Sequence, residues 1–285
     1  MPVRFPAAPD DAAAPSAGST CPGNGEISPV RAIHALRSAR RRNAAARRGV
    51  ATDAISDSSV RTGELMKIGI IGAGNIGGNL TRRLTSLGHQ VSVANSRGPG
   101  TLAALAEETG ATPVTVAEAA RGAEIVVVTI PFGKVPDLPA ALFDGAAEGF
   151  TVIDTGNYYP KHRDGRIAAV EDEGLTESRW TERHLGHPVV KAFNGTYAAD
   201  IIDRPRPAGH PERIAVPVAG DHEEAKEAVR ALIDELGFDT VDAGGLDESW
   251  RQQPDTPVYG LRAGVEAVTK ALAEASPVRT DAFRG

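Results

Sequence analysis

The stretch "KIGIIGAGNIGGNLTRRLTSLGH", residues 67–89, constrains this chain more than any other. The apolar run KIGII ends in glycines, as a strand buried on both faces of a parallel sheet does. Ile76, Leu80, Leu84 and Leu87 then recur at helical spacing until Gly88 stops the pattern. Between strand and helix, Gly72-Ala73-Gly74-Asn75-Ile76-Gly77 fits the G-x-G-x-x-G fingerprint in the strand–turn–helix context its mechanism requires. Gly72 is expected to make the tight turn, Gly74 to let a pyrophosphate approach the backbone, and Gly77 to let helix and strand pack closely. The unpaired amides at the helix start, from Asn75 and Ile76 onward, would face the anion together with the positive end of the helix dipole.

The pattern that follows predicts alternating strands and helices. QVSVANS reads as a second strand and TLAALAEETG as a helix closed by Gly110. A short strand follows near ATPV, then a brief helix, VAEAARG, capped by Thr115. EIVVVTIP reads as a buried fourth strand, VPDLPAALFDG as a helix and FTVIDTGN as a fifth strand. Past Tyr159 the pattern loosens, with a helix around LTESRWTERHL. It then recovers in strands HPVVKAFN and ERIAVPVAG, helix EEAKEAVRALIDELG, strand DTVDAGG and a closing helix in LRAGVEAVTKALAEA. Such alternation implies an α/β fold, a doubly wound Rossmann-type parallel sheet over residues 66–195, with a small C-terminal α/β extension, 196–285, packing on it. Residues 1–65 are rich in Pro, Ala, Gly and Ser without periodicity. They read as a disordered extension, or as a mis-assigned start with translation beginning at Met66.

Coenzyme choice should be written where the second strand ends, since an acidic residue there accepts the ribose hydroxyls of NAD. No Asp or Glu occupies that place; Asn95, Ser96 and Arg97 do. A hydroxyl and a guanidinium suit a 2′-phosphate, so the expectation is NADP(H) over NAD(H).

Charge narrows the partners. The chain carries 31 Lys/Arg against 37 Asp/Glu, a formal net charge of -6. Residues 1–65 hold nine of the basic and six of the acidic residues, which leaves the patterned part distinctly acidic. That argues against a nucleic-acid partner. The single Cys21 lies in the unpatterned leader and suits a reducing cytosol. No apolar run approaches the ~20 residues of a membrane span, so a cytoplasmic protein is expected, with a homodimer left open.

Ligands of open parallel sheets lie beyond the carboxyl ends of the strands. This points to Pro131 and Phe132 after the fourth strand, Thr155-Gly156-Asn157 after the fifth, and Phe193-Asn194-Gly195 after the sixth. Asn157 and Asn194 are the catalytic candidates, able to hold a nicotinamide amide or an acceptor ring by paired hydrogen bonds, and equally able to be turn formers. Tyr158 and Tyr159, before Pro160, read as a packed loop rather than as residues that stack on a ring or give a proton. Lys191 reads as an edge-facing, solvated lysine rather than a catalytic ammonium. His184 and His187 lack further ligands for a metal. The segment 250–260, dense in Trp, Gln and Tyr, fits a lid or a dimer contact.

The motifs IGIIGAGNIGGNL, VANSRGP, VVVTIPF, VIDTGN, VVKAFN and VAGDHEEA, over residues 66 to about 259, resemble the NADP oxidoreductases that depend on the deazaflavin coenzyme F420. They are also similar to the reductase domain of membrane metalloreductases. The resemblance implies that Gly72 to Gly77 bind the pyrophosphate, that Ser96 and Arg97 bind the 2′-phosphate, and that Thr129, Ile130 and Pro131 lie beside the nicotinamide. It implies hydride transfer between NADP(H) and a deazaflavin or flavin-type small-molecule redox partner. Where deazaflavin enzymes carry a His-Thr-Ile-Pro-like stretch, this chain has KAFNGTY, closer to the metalloreductase version. Two other readings stay open: an NADPH-dependent reductase of a small imine or carbonyl substrate, and a non-catalytic NADPH sensor.

Overall fold

The structure, a computed structural model, describes residues 65–285, all within one compact unit; the expectations for residues 1–64 lie outside it. Eight strands alternate with seven helices among the described residues. The strands are β1 (Lys67–Ile71), β2 (Gln90–Ala94), β3 (Thr112–Pro113), β4 (Ile125–Val128), β5 (Thr151–Asp154), β6 (Val189–Lys191), β7 (Ala215–Val218) and β8 (Asp239–Asp242). The helices are α1 (Asn75–Ser86), α2 (Ala103–Thr109), α3 (Ala168–Glu171), α4 (Glu177–Leu185), α5 (Asp200–Asp203), α6 (Glu223–Leu236) and α7 (Val265–Ala273).

The first six strands form one parallel sheet in the order β3-β2-β1-β4-β5-β6, a doubly wound Rossmann-type arrangement. Alternate residues of each strand serve opposite faces, and both faces are covered. Ile68 and Ile70 of β1 and Val127 of β4 join Leu80 and Leu84 of α1 and Leu232, Ile233 and Leu236 of α6 on one side. Ile71, Val126, Val128 and Val152 meet Ala119, Ala120 and Leu142 on the other. Each buried aliphatic side chain contributes about 1.5–3 kcal/mol, which is why the central strands read as unbroken apolar runs.

The C-terminal part adds β7 and β8, parallel to one another. The end of β7 reaches β6 through an antiparallel bridge in which Lys191 and Ala219 exchange both backbone hydrogen bonds. Helices α6 and α7 flank this pair.

Two expected helices differ. VPDLPAALFDG forms only a 3-10 turn, Phe132–Asp137, followed by turns. Pro136 and Pro139 remove the amide donors a helix would need there. VAEAARG is likewise a single 3-10 turn, Val116–Glu118, although Thr115 does cap it through a reciprocal capping box with Glu118.

Candidate functional site

The chain leaves β1 at Gly72 with φ +112°, a conformation that side chains rarely adopt. A Cβ on Gly72 would lie 2.1 Å from the carbonyl oxygen of Thr129, and one on Gly77 would lie 1.9 Å from that of Gly72. Around Gly74 there is nothing within 4 Å. The outer two glycines therefore permit close packing, and the middle one leaves open space over the backbone. Helix α1 starts there without a side-chain cap and without an acidic residue in its first turn. Its first intrahelical bond runs from the Gly78 amide to the Gly74 carbonyl, at 2.7 Å, so the amides of Asn75, Ile76 and Gly77 have no intrahelical partner. An anion placed over Gly74 would meet these donors and the positive dipole end.

Thr129 and Ile130 pack directly on this turn. The Thr129 amide donates to the Ile71 carbonyl at 2.8 Å, and the Ile130 side chain closes on Gly72. Pro131 follows, exposed at the rim. Phe132 does not face a ligand beyond the strand end as its position suggested. It is fully buried, stacked on Trp180 with centroids 4.3 Å apart, because the 3-10 turn swings its ring into the core.

After β2, the Asn95 side chain is committed to shaping its own loop. Its Oδ1 accepts from the Arg97 amide at 3.0 Å, and its Nδ2 donates to the Thr101 hydroxyl at 2.9 Å. Ser96 and Arg97 are thereby presented to solvent, and the Arg97 guanidinium makes no ion pair among the described residues.

Beyond β5 and β6 the two candidate asparagines meet. Asn157 Nδ2 donates to the Asn194 carbonyl at 2.7 Å, and Asn194 Nδ2 donates to Asn157 Oδ1 at 3.0 Å and to the Gln252 carbonyl at 2.6 Å. Gln252 Nε2 returns a bond to Asn194 Oδ1 at 3.1 Å. Asn194 is buried and its amide is spent inside this network, whereas half-buried Asn157 keeps one amide hydrogen. Phe193, just before, adopts φ +62°, uncommon for a bulky residue and a mark of a tightly determined loop.

Lys191 is not the solvated edge lysine its strand position suggested. It is 1% exposed, and its Nζ lies 3.4 Å from Asp154 Oδ2 and 3.7 Å from Glu177 Oε2 while donating to the Gly156 carbonyl. The β7 bridge and α4 cover what would otherwise be an open sheet edge. Arg279 supplies a second cation, donating to Glu177 Oε1 at 2.7 Å, and Ser178 donates to Asp154 at 2.7 Å. Two cations and two carboxylates thus balance under the floor of the site.

Above that floor lies a hydroxyl pair. Tyr158 is fully buried, its oxygen accepting from the Ile167 amide at 2.9 Å. Tyr159 points elsewhere, into a short hydroxyl contact with Tyr259. Burial raises the Tyr159 phenol above its ordinary value, against the hydrogen bond from Tyr259 and the Arg163 guanidinium over its ring. Burial and that same hydrogen bond push Tyr259 up further. Asp164 anchors the loop, accepting from the amides of Gly133 at 3.0 Å and Tyr159 at 2.8 Å and pairing with Arg163. Burial alone would raise the Asp164 carboxyl, but these donors hold it below the usual carboxylate range. Segment 250–260 supplies both Gln252 and Tyr259, and Tyr259 packs on Gly195. Sequence reasoning did not single out Asp154, Glu177, Gln252, Tyr259 or Arg279.

Residues 67–158 match the family model described as NADP oxidoreductase, coenzyme F420-dependent. The Escherichia coli (strain K12) protein YjhV is 48% identical over 60 residues, which is 21% of this chain and 44% of that protein. The chain thus spans less than half of that relative. A hypothetical protein, SMa0349, from Sinorhizobium meliloti has a similar structure with TM-score 0.60 and 28% identity, over 71% of this chain and 96% of that one. A proposed F420-dependent NADP-reductase from Arthrobacter sp. FB24 is similar with TM-score 0.51 and 26% identity, over 64% of this chain and 86% of that one. From β1 to the loop after β5, this chain therefore carries the pattern of the coenzyme F420-dependent NADP oxidoreductase family.

Proposed function

We propose that the protein is an NADP(H)-dependent oxidoreductase that moves a hydride between the nicotinamide and a planar deazaflavin- or flavin-type acceptor. The observation that carries the coenzyme half is the pairing of open backbone at Gly74 with an exposed Arg97 after β2 that has no ion pair among the described residues. The two fit a dinucleotide bearing a 2′-phosphate: donors without partners meet the pyrophosphate, and a cation with no competing carboxylate meets the extra phosphoryl group. Ser96 adds a hydroxyl beside it.

With the adenosine half over β2, the nicotinamide half falls beyond β4 and β5, beside Thr129, Ile130 and Pro131. Bound NADPH would supply a hydride from its nicotinamide ring. The chain's own task is to align two rings at contact distance, which needs rigid neighbours more than a catalytic triad. Asn157 is suited to orient the nicotinamide carboxamide or the acceptor ring with its remaining amide hydrogen, and Asn194 holds Asn157 in place. The family match over residues 67–158 and the Arthrobacter neighbour support a deazaflavin-type acceptor.

The test is calorimetric titration of the purified chain with NADPH and with NADH, followed by NADPH oxidation against deazaflavin, flavin, quinone, ferric chelate and imine acceptors. Tight NADPH binding with deazaflavin or flavin reduction is expected. No heat with NADPH would remove the assignment, and turnover only with an imine would move it to another class of reductase.

A further inference from the structure

We propose that Tyr159 is the proton donor to the reduced acceptor and that Tyr259 is the residue that positions it, an assignment that rests on the hydride-transfer reading above. Adding a hydride to a conjugated C=N system leaves negative charge on a heteroatom, and that atom must gain a proton. A dinucleotide laid from Arg97 across Gly74 to Pro131, along the strand ends, brings its nicotinamide toward the loop after β5, so that the acceptor would be bordered by the loops after β5 and β6 and by segment 250–260. The groups at that border with a transferable proton include the Tyr159 and Tyr259 hydroxyls.

Their geometry favours Tyr159 as the acid. Its ring sits under the Arg163 guanidinium, 5.0 Å from the centroid, and Arg163 also donates to the Asn157 carbonyl, tying the phenol to the candidate ring-holding residue. A hydrogen bond from the Tyr259 hydroxyl stabilises the phenolate that proton transfer leaves behind. Tyr259 is itself fixed against Gly195, where a Cβ would lie 3.7 Å from its ring and 3.3 Å from the Gly260 amide. The charged and titratable groups facing the pair are Arg163, Asp164, Glu177 and Tyr197. Burial keeps both phenols protonated at neutral pH, as an acid requires.

In the step, the O–H bond of Tyr159 breaks and an N–H bond forms on the acceptor. In concert, the hydride and its electron pair leave the nicotinamide and bond to the accepting ring atom, a carbon in a deazaflavin and a nitrogen in a flavin. NADPH is oxidised by two electrons, the acceptor gains those two electrons as the hydride together with one proton, and the phenolate recovers its proton from water.

Tyr159→Phe and Tyr259→Phe test this beside the wild type. The readouts are NADPH affinity by calorimetry and kcat from neutral pH to about pH 11 with the acceptor that the wild type reduces. Tyr159→Phe should lower kcat about 100-fold or more and lose the alkaline fall in rate, with NADPH affinity unchanged. Tyr259→Phe should lower the neutral-pH rate by less than Tyr159→Phe does, about tenfold, and move the alkaline fall to higher pH, because Tyr159 loses the donor that favours its phenolate. This second variant retains the test should the first not fold. A Tyr159→Phe enzyme with the wild-type rate and pH profile overturns the proton donor and leaves hydride transfer standing, as does an unmoved alkaline limb in Tyr259→Phe. A wild-type chain that binds no NADPH, or reduces no acceptor, overturns both.

Discussion

A Cβ on Gly77 would stand 1.9 Å from the carbonyl oxygen of Gly72, whereas one on Gly74 would meet nothing within 4 Å. The same substitution at these positions should therefore fail in different ways. Gly77→Ala forces helix α1 away from the turn and should cost about 3 kcal/mol or more in urea unfolding. Gly74→Ala should cost at most about 1 kcal/mol, the usual penalty for Ala at a helix N-cap. Its methyl group would nevertheless occupy the approach to the backbone, so NADPH affinity should fall at least about tenfold. Calorimetry showing wild-type affinity for Gly74→Ala would remove the pyrophosphate from this place.

Lys191 and Asp154 are register partners on neighbouring strands, and both are 1% exposed. Removing the ammonium leaves Asp154 with only Ser178 and the Gly156 amide, and Glu177 with only Arg279. An uncompensated buried carboxylate is costly, so Lys191→Met should destabilise the fold by about 3–5 kcal/mol. The double variant Lys191→Met with Asp154→Leu should recover part of that loss, because the charge and its partner go together. Denaturant midpoints for the single and double variants measure the difference.

These two sites show which parts of the molecule the sequence announces. The central strands and α1 are legible because burial on both faces leaves continuous apolar runs, and because the positive φ of Gly72 and the approach of Gly77 to the Gly72 carbonyl are demands set within the turn itself. A charge inside "TVID" and another inside "VVK" were visible, but their pairing exists only once β5 and β6 are known to be neighbours. The covering of that edge by β7 and α4 gives no local sign, so Lys191 read as solvated. Tyr259 lies 100 residues from Tyr159, and nothing in its own segment indicates the partner. Asn95 read as a coenzyme-binding residue at the end of the second strand, and the spending of its side chain on Arg97 and Thr101 gave no local sign.

On the proposed function, Arg97 and Ser96 are the residues that carry the coenzyme preference. Arg97→Glu replaces an attractive charge beside the 2′-phosphate with a repulsive one, while NADH offers no phosphate to repel. The Michaelis constant for NADPH should rise about 100-fold and that for NADH should change by less than about threefold. The discrimination should also weaken with added salt, since Arg97 is exposed. Equal effects on both coenzymes in steady-state kinetics would mean that the 2′-phosphate lies elsewhere.

Asp164 sets the acid limit of the loop that carries Tyr159. Its carboxyl accepts the Gly133 and Tyr159 amides and pairs with Arg163, which together outweigh burial and lower its pKa in the folded state. A depressed carboxyl contributes stability that is present above its unfolded value, near pH 4, and is lost as pH falls through the folded value. Exposed Asp221 and Asp242 are lowered as well: burial opposes, but amide bonds from Leu246 and Gly244 and pairing with Arg179 and Lys226 prevail. Stability should therefore be nearly flat from neutrality to about pH 5 and fall below pH 4. Asp164→Asn should lower stability at pH 7 by about 1.5–3 kcal/mol, the range for hydrogen bonds to a charged group. It should also flatten the acid limb, because the variant has no proton to take up there. Chemical unfolding at stepped pH gives the result, and an acid limb of unchanged steepness in Asp164→Asn would place the acid sensitivity at the other carboxylates.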